Sequence, residues 1–210
     1  MSGPSLPELE TYSAEDWVEA YQSLPVAQRY KSWIDSPCPQ DPAASLRWQR
    51  HRGWLQAAMA TYFDRASTSD ICLSWSLLCE DLLRQAWRLG GLDELPICMT
   101  VVGKMGSQEL NLSSDIDMFF VSQIGITPEI DRALKRFRAL LSDATENGFV
   151  IRLDFDLRPG GRFAPLVSTL PQLEDYYWSQ GETWERLAMV RARTILGPAD
   201  LCAAVQQTLT

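Results

Sequence analysis

The apolar spacing of the chain changes between Gly90 and Ile97, and that change limits what it can fold into. Before it, apolar residues recur with a helical period. "SAEDWVEAYQSL" predicts a helix with Ser13 as N-cap and Trp17, Tyr21 and Leu24 on one face. "DSPCPQDP" over 35–42 is a breaker, and Asp41-Pro42 opens a second helix reaching about Arg65 through Leu46, Trp54, Leu55, Met59 and Phe63. "STSD" starts a third, which Gly90-Gly91 ends. After the change, Ile97, Met99 and Val101 alternate with Cys98, Thr100 and Val102, the period of a strand. "DIDMFFV" and "FVIRLDFDL" read as two more strands. Between them, a helix begins at Thr127-Pro128 and stops at Gly148, with Ile130, Leu134, Phe137, Leu141 and Ala144 as its apolar stripe. A Gly/Pro loop, "RPGGRFAPLVST", leads to two further helical stretches, "LPQLEDYYWSQ" and "ETWERLAMVRARTIL". The order predicts an α+β, or mixed α/β, fold: a helical annex over 1–94, a sheet domain over 95–198 and a helical tail over 199–210.

Composition narrows the function classes. A hydrophobic content of 46% with eight tryptophans supplies a full core, and the first ten residues, with Pro4 and Pro7, read as an extended lead-in. A net charge of −8 argues against nucleic acid as partner, since that binding needs surplus Lys and Arg to displace counterions. Five cysteines without a CxxC pair, and His51 as the one imidazole, argue against zinc. They fit buried free thiols in a reducing cytoplasm. "MSGPSLPELE" has no secretory character, and charges such as Asp117 interrupt the longest apolar stretch, so no membrane span is expected.

The chemistry concentrates in "GKMGSQELNLSSDIDMFFV". On a strand, Asp115 and Asp117 face one side while Ile116, Met118 and Phe120 face the other. At ~5–6 Å and an effective dielectric of ~20, two such charges repel by roughly 3 kcal/mol. A divalent cation offsets that repulsion; without one, at least one carboxyl should titrate high. Asp154 on the next strand offers a third oxygen ligand, and such a set suits Mg²⁺ completed by water and phosphate oxygens. Upstream, Gly106-Ser107 could form a small nest for a phosphate, with Lys104 either a phosphate contact or a solvated loop residue. The bland alternatives are strand-end carboxylates capping a helix at Asp115 and Asp117, and a salt bridge from Asp154 to Arg152 or Arg158. The tryptophans and tyrosines of 176–184 read as core, and no role is assigned to His51.

A Gly/hydroxyl turn followed by a hydrophobic-flanked Asp-x-Asp resembles the nucleotidyltransferase superfamily. Three longer segments resemble one family within it, the glutamine synthetase adenylyltransferase/adenylyl-removing enzymes. They are "GKMGSQELNLSSDIDMFF", "NGFVIRLDFDLRPGG" and "PLVSTLPQLEDYYWSQGETWERLAMVRARTILG", together covering roughly 99–198. The phrasing around Asn111 and over 176–186 is closer to the family's N-terminal, adenylyl-removing half. The resemblance implies a nucleotidyltransferase-type sheet, two Mg²⁺ ions held by Asp115, Asp117 and Asp154, and phosphate contacts from Gly106, Ser107, Lys104 and Arg158. It implies ATP, or ADP and phosphate, as substrate, a tyrosyl hydroxyl of glutamine synthetase as acceptor, and a cytoplasmic setting. Trp184, Glu185, Arg186, Arg191 and Arg193 fall on motif positions, where the arginines could meet either ligand or the nearby acids Asp175, Glu182 and Glu185.

The sequence also departs from the family pattern. Asp156 stands where the family has arginine, Val101 and Ser107 stand where it has glycine, and the "SQIGITPE" connection is short. Strand alternation puts Asp156 on the side of Asp154, as a fourth acid or an exposed carboxylate. The family's enzymes carry two such domains and this sequence one, so it resembles a fragment, a trimmed relative or a degenerate copy. The alternatives to adenylyl transfer are a module that binds nucleotide or glutamine synthetase without turnover, and a nucleotidyltransferase with another acceptor.

Overall fold

A computed structural model of the chain describes residues 4–209, except the Pro25 side chain; Met1–Gly3 and Thr210 lie outside the described residues. The chain divides into two compact units, and the division does not follow a single cut in the sequence. One unit holds the residues up to Leu82 together with Gln108–Ser114 and Ala144–Val150. The other holds Leu83–Ser107, Asp115–Asp143 and the chain from Ile151 onward.

The first unit is helical: α1 (Ala14–Ser23), α2 (Pro25–Ile34), α3 (Pro42–Tyr62) and the first part of α4 (Thr68–Gly90). The expected lead-in is extended from Pro4 and tightens into a 3-10 turn at Leu9–Thr11. Ser13 caps α1 through a reciprocal box with Asp16, each side chain bonding the other's backbone N–H. Asp41 accepts the Ala44 N–H at 2.8 Å at the start of α3. The helix α2 was not expected. Its N-cap is Leu24, which offers no side-chain oxygen, and Pro25 at the first position is its main signal. Trp17, Ala20, Ala27, Ile34, Leu55 and Met59 form the core between these helices.

Two loop segments complete this unit. Ser76 Oγ accepts the Leu110 N–H at 2.9 Å, and Trp54 Nε1 donates to the Leu112 carbonyl at 3.3 Å. The segment Ala144–Val150 is held by Arg47 Nε, which donates to the Gly148 carbonyl at 2.9 Å, and by His51. His51 Nε2 donates to the Asn147 carbonyl at 2.8 Å while Nδ1 faces the Arg50 guanidinium at 3.0 Å. The ring stacks on Tyr30 at 4.1 Å between centroids. His51 is therefore a buried, neutral pin rather than an idle residue.

The second unit carries the sheet, which among the described residues has five strands: β1 (Ile97–Val101), β2 (Ile116–Ser122), β3 (Leu153–Asp154), β4 (Val167–Thr169) and β5 (Arg193–Leu196). β1 pairs antiparallel with β2 and β5, and the far edge of β2 is shared by β3 and then β4, both parallel to it. The fold is α+β. The helices of this unit are the end of α4, α5 (Gly103–Gly106), α6 (Pro128–Ser142), α7 (Leu170–Ser179), α8 (Thr183–Met189) and α9 (Ala199–Leu209). One sheet face packs Phe120 with Trp87 of α4 and Phe137 of α6, ring centroids 6.0–6.4 Å apart. The other packs Cys98, Val102, Phe119 and Val121 against Leu173, Met189, Leu201 and Val205. Fully burying each of these large side chains contributes about 1.5–3 kcal/mol.

Several sequence expectations need correction. The stretch after Glu182 is not one helix: α8 ends at Met189 and "RTIL" pairs with β1 as β5. The strand expected over "FVIRLDFDL" is reduced to Leu153–Asp154, and β4 lies in the segment read as loop. α6 ends at Ser142, so Ala144 is exposed and outside the stripe; Thr145 and Gly148 close a small bridge beyond it. Trp178 and Trp184 are exposed, at 84% and 58%, rather than core. All five cysteines are free, with Cys38 at the surface. Among the described residues no helix is long and apolar enough to cross a membrane.

Burial pushes the His51 imidazolium pKa down to about 4, with Arg50, Arg29 and Arg47 adding to the effect and the Asn147 carbonyl opposing it. The folded value lies below the unfolded one, near 6.5, so unfolding takes up a proton between those pH values. The stability that neutral His51 contributes is complete above about pH 6.5 and is lost as pH falls towards about 4. Thermal melts across this window should show a rising midpoint with pH, and His51→Gln should flatten the slope. An unchanged slope in the variant would remove His51 as its source.

Candidate active site

The acids lie where β1 ends and β2 begins. β1 gives way at Val102 to α5, while the Val102 N–H donates to the Asp117 carbonyl at 3.0 Å. The parallel ladder of β2 and β3 makes Ile116 the register partner of Leu153, and Asp117 that of Asp154. The Ile116 N–H donates to the Arg152 carbonyl at 3.0 Å, which continues the pairing one step back, to Asp115 and Arg152. Alternation then places Asp115, Asp117, Arg152 and Asp154 on one face at one end of the sheet. The next residues of β2 on that face are Phe119 and Val121, both fully buried.

Each acid has a distinct environment. Asp117 is half-buried, and its carboxyl is raised above the usual carboxylate range, first by burial and then by the charges of Asp154 and Asp115; Lys104 works the other way. Asp154 Oδ1 accepts the Asp156 N–H at 2.8 Å, closing a turn immediately after β3. Strand alternation therefore stops at Asp154, and the exposed Asp156 follows the turn instead. Asp115 is paired through Oδ1 with Nε of Arg152, the arginine beside the acids.

The upstream turn is held by bonds within the fold. The Gly106 N–H is spent on the Val102 carbonyl at 3.2 Å, and its own carbonyl accepts from Arg193 Nε at 3.3 Å. A Cβ on Gly106 would stand 1.8 Å from the Arg191 carbonyl oxygen, so glycine is required by backbone packing. Ser107 returns both its N–H and its hydroxyl to the Gly103 carbonyl, at 3.3 and 3.2 Å. Gly103 itself, not singled out from sequence, has φ +57° and a Cβ position 3.0 Å from Asp117 Oδ2. It allows the turn to pass directly over the carboxylate. Lys104 is exposed beside it. Arg158 is buried and holds the "RPGGRFA" loop: Nη1 donates to the Phe155 carbonyl at 2.7 Å and Nε to that of Ala164 at 3.2 Å. Nε and Nη1 of its fork are thus turned to backbone carbonyls.

Glu185 is buried, accepting the Tyr176 hydroxyl at 2.8 Å and the Glu182 N–H at 2.8 Å. Arg186 Nε donates to the Gly181 carbonyl at 3.1 Å.

By donor chemistry the acids fit a hard divalent cation with oxygen ligands. Among the described residues, no three histidine, cysteine, aspartate or glutamate side chains already converge as a cation site.

Residues 20–208 match the profile of the family described as glutamate-ammonia ligase adenylyltransferase. The chain belongs to that family. Relatives named bifunctional glutamine synthetase adenylyltransferase/adenylyl-removing enzyme include one from Nitrosococcus oceani, 36% identical over 71% of this chain and 17% of the relative. Another, from Shewanella loihica, is 36% identical over 74% of this chain and 19% of the relative. A third, from Chromobacterium violaceum, is 34% identical over 85% and 23%. The match to this adenylyltransferase family thus spans between 17% and 23% of the length of these relatives.

Gly106→Ala tests the packing of the turn in this family member. The added methyl meets backbone, which cannot swing aside, so a loss of about 1–3 kcal/mol is expected in urea unfolding without any ligand. A variant as stable as the parent would return Gly106 to a role felt only when phosphate binds.

Proposed function

We propose that this chain is a nucleotidyltransferase domain that moves AMP to or from a tyrosyl hydroxyl of glutamine synthetase, using Mg²⁺ at Asp115, Asp117 and Asp154. The reading rests above all on one observation: Asp117 and Asp154 are register partners on the face that Asp115 shares. The relatives' names supply the acceptor, and a cytoplasmic setting would provide it together with ATP.

In the forward direction, the tyrosyl oxygen attacks the α-phosphorus of ATP and pyrophosphate leaves. In the removing direction, inorganic phosphate attacks tyrosyl-AMP and ADP leaves. Bound Mg²⁺ supplies charge neutralisation for the attacking and leaving oxygens. The chain's own residues set the conditions for this. Asp117 and Asp154 are register partners on one face, and Gly103 keeps the approach to Asp117 Oδ2 clear of a side chain. Lys104, exposed on the first turn after β1, is the phosphate contact this reading keeps, whereas Gly106 and Ser107 shape the turn.

A second reading, nucleotide binding without turnover, is favoured by Asp156. It puts a negative charge where the family has arginine, and it is exposed just past β3.

Asp117→Asn separates the readings. A raised folded pKa means that ionising Asp117 costs the fold stability: the cost grows as pH rises through the interval between its unfolded and folded values and is complete above it. Removing the charge should leave the apo melting temperature equal or higher. With labelled ATP, Mg²⁺ and glutamine synthetase, the parent should label a glutamine synthetase tyrosine and Asp117→Asn should not. Equal labelling by both would exclude Asp117 from the chemistry. ATP binding by the parent with no labelling and no release of AMP groups would favour the second reading.

A further inference from the structure

We infer that Arg152 competes with a divalent cation for Asp115: its guanidinium holds that carboxylate, and a cation binds at the acids by displacing it. The inference rests on the proposed metal site.

Three carboxylates and one guanidinium share the end of the sheet. Arg152 is fixed there by the backbone, because its carbonyl accepts the Ile116 N–H at 3.0 Å and Asp154 comes two residues later on the same face. Its Nε donates to Asp115 Oδ1. Arginine has no lone pair to offer a metal and stays charged at every working pH, so it cannot join the ligand shell. A cation at the acids and a guanidinium on Asp115 repel each other and compete for the same oxygen.

The pair is built to be displaced. Arg152 and Asp115 are each about half exposed, at 55% and 48%, and exposed ion pairs are weak. Three carboxylates attract a divalent ion more strongly than one carboxylate attracts a guanidinium. Arg152 would therefore relieve repulsion among the acids and yield its place on Asp115 to a divalent cation.

Calorimetric titration with Mg²⁺ alone tests this on the parent, Arg152→Gln, Arg152→Lys and Asp117→Asn. Arg152→Gln should bind Mg²⁺ about three- to fivefold more tightly than the parent, the range an exposed ion pair allows. Arg152→Lys keeps the charge without the planar fork and should fall between them. The difference should shrink as ionic strength rises. Equal or weaker Mg²⁺ binding in Arg152→Gln, with Asp117→Asn abolishing binding, would overturn the role of Arg152 and leave the metal site standing. Mg²⁺ binding by Asp117→Asn equal to the parent's would overturn the metal site and this inference together.

Discussion

Asp117 and Asp154 stand side by side because β2 and β3 run parallel with those residues as register partners. Like charges so placed are unfavourable, and the apolar residues further along β2 hold the register against them. Phe119 and Val121, on the same face of β2, are fully buried against Leu173, Leu201 and Val205. Phe120, on the other face, is locked between Trp87 and Phe137. Slipping the strand by one residue would expose one of these sets and bury carboxylates in its place. The core of the sheet thus fixes the acids, and the energy of burying aromatic residues offsets their repulsion.

The surroundings of the acids obey the same constraint. The chain leaving β1 must turn tightly past Asp117, and a side chain at Gly103 would press on the carboxylate. The Arg191 carbonyl comes close enough to Gly106 to exclude a methyl group, and Arg193 bonds the Gly106 carbonyl. The entry to β5 therefore supports the turn over the site. α7 and α8 are tied by the Tyr176–Glu185 bond, which explains why a carboxylate can be buried in α8.

Much of this was legible in the sequence where the signal is local. Ser13, Asp41 and Thr127 cap helices as their side-chain chemistry dictates. The acid pair stood out because a period of two is strict. What was not legible depends on partners distant in the chain. Arg152 precedes Asp154 by two residues, and parallel register sets it beside Asp115, a partner the spacing alone does not announce. The loop carbonyls that Arg158 holds come from a fold-back of its own loop, which spacing does not announce. "RTIL" became a strand because β1 had an open edge, which no local propensity announces. Gly106 was read as a phosphate contact, whereas the approach of Arg191 is what requires it.

The most direct measurement is anomalous diffraction from crystals of the parent protein soaked with Mn²⁺ and a non-hydrolysable ATP analogue. One or two anomalous peaks are expected among the carboxylates of Asp115, Asp117 and Asp154, with the Arg152 guanidinium withdrawn from Asp115. Nucleotide bound with no anomalous peak at these acids, or Mn²⁺ bound only elsewhere, would contradict the assignment of this sheet end as the catalytic centre.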